Sequence, residues 1–300
     1  MIGRLSWPLT FEFKKEPFLW LAAGIATLLL FLFVTFPFGA LQTRLLSEIG
    51  RASGWDVRAA DWSVGLPLAV EWRDLVFAKA GAGTIPVESM RVGIGLLAHL
   101  AGRATIDASV RFPGSVPPGA ARATASLTAS SWSLVGPAQL KARLQQLDLS
   151  QFVKPYVSKG LLQAEVVQAW VGNPGGGITF KGDGAWKAEI RDLVLERIPL
   201  GPAQIPSLVF TRVTLGLACH DASCDVTEFR GEGPDGTITG QGRLLLQQPI
   251  RDSMLELTLT VLPGSGWAQK SAGLPIPPLP PGTPMTFKVT GSVANPRVSV

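Results

Sequence analysis

The sequence predicts a mainly β protein carrying one N-terminal transmembrane helix, its two related antiparallel β-modules forming a curved sheet or open groove, with a short helix near 150–159. Three observations predict this: an uncharged apolar run near the N-terminus, a hydrophobic period of two over most of the rest, and an internal repeat.

From Phe18 to Phe36 the chain reads FLWLAAGIATLLLFLFVTF, without one charged residue. At 1.5 Å per residue such a helix reaches roughly 28 Å, enough to cross the hydrocarbon of a bilayer. Pro17 and Pro37 bracket the run, where proline is tolerated, and Trp20 suits an interfacial anchor. A cleaved signal peptide has a shorter apolar core, and Phe38-Gly39-Ala40-Leu41 is a poor cleavage signal. The expectation is an uncleaved transmembrane helix over 17–37. Arg4, Lys14 and Lys15 precede it, against Arg44 and Arg51 after it. This bias places residues 1–16 as a cytoplasmic tail and the rest across the inner membrane, in the periplasm.

Beyond the run, Leu41, Leu45, Leu46 and Ile49 recur at helical spacing opposite Gln42, Arg44, Ser47 and Glu48. A membrane-proximal amphipathic helix over 38–54 is expected, ended by Gly50 and Gly54. From Trp55 the period becomes two. Ile106, Ala108 and Val110 alternate with Asp107, Ser109 and Arg111; Val213, Leu215 and Leu217 alternate with Arg212, Thr214 and Gly216. Leu257, Leu259 and Val261 alternate with Glu256, Thr258 and Thr260. Such strands have one apolar and one wetted face, and Gly and Pro clusters supply their turns.

Glu71-Trp72-Arg73-Asp74-Leu75-Val76-Phe77 returns as Glu189-Ile190-Arg191-Asp192-Leu193-Val194-Leu195. Ile85-Pro86 returns as Ile205-Pro206, and Arg91-Val92 as Arg212-Val213. The repeat implies a first β-module over 55–149 and a second over 150–300. The recurring Arg-Asp pair reads as a turn or bulge ion pair on a surface strand, in preference to a ligand role. Between the modules Ser150 suits an N-cap for a short helix distorted at Pro155. The Pro-rich stretch 274–282 reads as an extended loop, with a PxxP ligand as the sharper alternative.

Charged residues make up only 16% of the chain and are scattered, so the net charge of +5 does not point to nucleic acid. Cys219 and Cys224, with turn-formers Asp221 and Ser223 between them, suit a disulfide across a β-hairpin in an oxidising compartment. A metal held by Cys219, His220 and Cys224 is the alternative, short of a fourth ligand. No catalytic motif is present, and the carboxylates nearest in sequence, Asp183, Glu189 and Asp192, carry no sign of convergence. Neither an enzyme nor a cofactor is expected.

Several stretches together resemble the inner-membrane protein N family of type II secretion systems, which is similar to AsmA-like proteins. These are Leu41-Gln42-Thr43-Arg44-Leu45-Leu46-Ser47-Glu48-Ile49-Gly50, Ser63-Val64-Gly65-Leu66-Pro67 and Trp72–Phe77. Leu147–Phe152 with Gly160–Ala164, and the closing Leu257–Val261 with Gly282–Pro296, complete them. The resemblance implies an accessory or scaffold component of a machine exporting folded proteins, its partners other inner-membrane secretion subunits and the lipid bilayer. It brings no catalytic residues. The AsmA-like side implies a second reading, a lipid-binding or lipid-transfer module whose groove is lined by Ile106, Val110, Val213, Leu215, Leu257 and Leu259. The plainer alternative is that these six close into a sandwich core.

Overall fold

A computed structural model describes residues 24, 27, 31, 38–65, 69–79, 83–114, 121–153, 156–174, 177–200, 203–271 and 282–299. The expected span over 17–37 lies outside them, save for Gly24, Thr27 and Phe31, which are helical. Among the described residues no helix is long and apolar enough to cross a membrane. The Pro-rich stretch also lies outside them up to Gly282.

Two units follow. In the first, helix α1 (Phe38–Ser53) half-buries Leu45, Leu46 and Ile49 and exposes Arg44, Ser47 and Glu48. Gly50 lies within it; Gly54, left-handed at φ 72°, is the residue that stops it.

The second unit, Gly54–Val300, is one antiparallel sheet of fourteen strands in sequential order. They are β1 (Asp56–Gly65), β2 (Ala69–Lys79), β3 (Gly83–Ile94), β4 (Ala104–Arg111), β5 (Arg122–Ala129), β6 (Gly136–Asp148) and β7 (Val157–Gly172). The series continues with β8 (Ile178–Leu200), β9 (Ala203–His220), β10 (Ser223–Gly233), β11 (Gly236–Leu245), β12 (Met254–Pro263), β13 (Met285–Ser292) and β14 (Asn295–Ser299). Each strand turns back on its predecessor, as period-two segments joined by short turns must. Helices α2 (Leu96–Leu100) and α3 (Ser265–Ser271) are short.

The two expected modules are not separate sheets. β6 and β7 pair across the expected boundary, from Gly136↔Gly172 to Asp148↔Leu161. The short helix shrinks to one 3-10 turn, Leu149–Gln151, and β7 has begun by Val157. Its cap is Asp148, not Ser150: the Asp148 carboxylate accepts the Ser150 N–H at 2.9 Å. A carboxylate at the strand end meets that orphan donor, so the cap sits two residues earlier.

The repeat is one hairpin device used twice, in β2–β3 and six strands later in β8–β9. Asp74 takes a left-handed conformation (φ 49°), and Asp192 does the same (φ 51°). Asp74 drops out between the rungs Arg73↔Ser89 and Leu75↔Val87; Asp192 drops out between Arg191↔Arg212 and Leu193↔Phe210. Trp72 and Leu75, three residues apart, therefore both turn to the buried side, each 1% exposed. A regular strand would set them on opposite faces. The Arg of each Arg-Asp pair binds the preceding Glu: Arg73 to Glu71 at 3.6 Å, Arg191 to Glu189 at 2.6 Å.

Candidate functional site: an apolar face across the sheet

Cross-strand register lines up one apolar row over ten strands: Trp62–Trp72–Met90–Val110–Ala123–Leu144–Ala164–Ala188–Leu215–Phe229. At about 4.8 Å per strand it runs roughly 43 Å. Beyond it Leu259 pairs with Phe287, and Gly240 joins the two parts. A Cβ on Gly240 would stand 2.8 Å from Phe229 and 2.7 Å from Leu259, so these two side chains meet over the bare glycine. Parallel rows widen the face, among them Val92–Ala108–Ala125–Ala142–Val166–Trp186–Leu217.

Most of these side chains are half-buried; a closed sandwich would bury them fully. Among the described residues three buried clusters join neighbouring strands: Ala104, Ala129 and Ala138 on β4–β6; Val157, Leu193 and Phe210 on β7–β9; Leu217, both cysteines and Leu244 on β9–β11. α2 touches β4, the 3-10 turn touches β7, and α3 touches β9, β11 and β12. Across β4–β8 this face carries Ala108, Ala123, Ala125, Ala142, Ala164 and Ala188 among larger side chains such as Val110, Leu144 and Trp186. The one polar residue on it, Gln168, is buried and satisfied: it accepts the Trp186 indole N–H at 3.1 Å and donates to the Ala169 carbonyl at 3.0 Å.

Ile106, Val110, Val213, Leu215, Leu257 and Leu259 all lie on this face but at separate places along it. Val110 and Leu215 share the long row; Ile106 stands on β4, Val213 on β9, and Leu257 and Leu259 on β12. Sequence reading passed over Trp62, Trp72, Met90, Phe229 and Phe287. The Asp74 kink shifts the phase of β2, so its alternation hides Trp72 and Leu75 as one set.

Cys219 and Cys224 are paired rungs of the β9–β10 hairpin and form a disulfide. Its turn is Asp221-Ala222, with Asp221 left-handed; Ser223 already belongs to β10. Both sulfurs are thus committed, and the metal alternative loses two of its three ligands. Among the described residues no group of three His, Cys, Asp or Glu could hold a metal.

The three carboxylates nearest in sequence, Asp183, Glu189 and Asp192, do not converge: each meets its own basic partners. Asp192 meets Lys159 at 3.4 Å, and Glu189 meets Arg191 and Arg212. The hydrogen bond from Arg191, aided by Arg212, holds the Glu189 carboxyl below its usual range. Asp183 meets His220 Nδ1 at 2.9 Å, and this bond, with the nearby Asp221 charge, raises the imidazole pKa. A raised folded-state value means the pair's stabilisation is present below the unfolded pKa and fades as pH rises through the folded one. Asp183→Asn is expected to lower the His220 midpoint in an NMR titration. An unchanged midpoint would contradict the pairing.

Comparison with protein-family models, with curated proteins and with solved structures gives no match for this chain.

Proposed function

We propose that the apolar face binds hydrocarbon, making the chain a lipid-binding or lipid-transfer module of the AsmA-like kind, anchored in the inner membrane by its N-terminal run. The observation that carries this is the unbroken apolar row from Trp62 to Phe229, half-buried from Val110 onward and served by no second sheet among the described residues. A half-buried apolar face roughly 43 Å long is more than ordinary soluble proteins leave without a covering layer. Acyl chains lying across this face would complete its burial, each covered methylene contributing about 0.8 kcal/mol.

The test is photocrosslinking of the full-length chain in cells. A photoreactive side chain at Leu215 is expected to yield a lipid adduct by mass spectrometry, and one at neighbouring Thr214, on the polar face, none. Equal adducts at both positions, or none at Leu215, would sink the reading.

A second reading, an accessory component of a type II secretion machine, is favoured by a free strand edge. β14 pairs only with Lys288–Ser292, so Met285, Thr286 and Phe287 lack a partner strand on that side among the described residues. A partner could extend the sheet there by strand addition. This predicts recovery of inner-membrane secretion subunits in a crosslinked detergent pull-down; recovery of the chain alone counts against it.

A further inference from the structure

The polar face carries a feature that the hydrocarbon reading does not use. On that face several cations are matched by carboxylates: Arg73 with Glu71, Arg191 and Arg212 with Glu189, Arg230 with Glu232, and Arg243 with Asp225. Over β3–β6 only Arg143 is matched among the described residues, by Glu165 of β7. Arg91, Arg111, Arg122 and Lys141 are exposed, and among the described residues none lies in an ion pair. Arg111 and Arg122 are direct rung partners, an arrangement of like charges that weakens a sheet.

Arg91, Arg122 and Lys141 line a concavity of about 670 Å³. One row across its floor runs Arg91–Ser109–Thr124–Arg143, and the next pairs Asp107 with Ser126 and Ser126 with Lys141. Short hydroxyl side chains thus separate long cationic ones, which can reach over them toward a common centre. The facing carboxylates are Glu165, occupied by Arg143 at 3.2 Å, and Asp107. Three unpaired cations in the concavity therefore face one unpaired carboxylate. No aromatic side chain lines it, which removes the stacking surface that single-stranded nucleic acid requires.

The geometry points to a phosphate site: Arg91, Arg122 and Lys141, over the Thr124 and Ser126 hydroxyls, bind a phosphate-ester group. Guanidinium forks match phosphate oxygens in pairs, and Lys141 adds a point charge. A phosphate between the strands also offsets the Arg111–Arg122 repulsion. The group can belong to a phospholipid headgroup or to a soluble phosphate compound. The site is on the face opposite the apolar row, so it stands whether or not hydrocarbon binds there.

The test uses the full-length chain in nanodiscs of neutral phosphatidylcholine. One arm titrates inorganic pyrophosphate by calorimetry; the other measures capture of vesicles containing phosphatidic acid. Saturable binding in the first arm assigns a soluble phosphate, and capture in the second alone assigns a headgroup. Arg122→Ala with Lys141→Ala is expected to weaken whichever binding occurs at least tenfold, whereas Arg230→Ala with Arg243→Ala leaves it within twofold. Arg122→Glu separates folding from binding: set opposite Arg111, it is expected to raise the melting temperature while abolishing binding. Binding in neither arm, or equal losses in both double variants, overturns the site.

Discussion

Trp72→Ala is expected to lower the unfolding free energy by about 3–5 kcal/mol, the cost of a large cavity in a packed place. Trp72 is 1% exposed and sits in the long row between Trp62 and Met90, beside Leu75 across the Asp74 kink. Among the described residues its buried indole N–H has no hydrogen-bond partner. That orphan donor already costs stability, so Trp72→Phe is expected to be far milder, on the order of 1 kcal/mol, because it removes the unpaired group along with some volume. Trp132→Ala, at a residue 56% exposed, serves as the control and is expected to be close to neutral. Denaturant titration of the full-length chain in detergent, followed by circular dichroism, measures all three. An alanine variant no weaker than the control would show that this end of the sheet is not packed as described.

The second large effect is expected at Asp235, in the β10–β11 turn. Its carboxylate is 2% exposed, accepts the Val209 backbone N–H at 2.6 Å and binds Lys270 of α3 at 2.6 Å. Gly266 makes this seat possible, since a Cβ there would stand 2.4 Å from the Asp235 Oδ1 atom. Asp235→Ala strands a backbone donor and a partly covered ammonium, at a cost of about 3 kcal/mol. Its local signature is as informative as its size. Hydrogen exchange is expected to quicken over 265–271 and at Val209, while β1–β6 keep their protection. Unchanged exchange in α3 would mean that Trp267, 8% exposed, holds the helix without the ion pair.

These two residues also mark how far the chain could be read without its fold. The Trp72 segment was visible as half of a repeat, and the Arg-Asp pair as a turn or bulge on a surface strand. What the repeat does, setting three-spaced side chains on one face, depends on a left-handed Asp that no composition signal distinguishes from an ordinary one. Asp235 and Lys270 lie thirty-five residues apart, and neither forms part of any local pattern.

The sequence by itself determined a mainly β, antiparallel chain and offered Cys219 and Cys224 as hairpin partners for a disulfide. Each depends on neighbours along the chain: alternation sets a strand's two faces, glycine and proline set its turns, and a short loop sets a hairpin partner. Only the tertiary structure decided that both halves of the repeat lie in one continuous open sheet, that the cap belongs to Asp148, and that Arg91, Arg122 and Lys141 share one concavity. Those outcomes depend on register between strands and on where a covering layer is missing among the described residues. Both are set by packing partners distant in the chain, and period two within one strand carries no record of them.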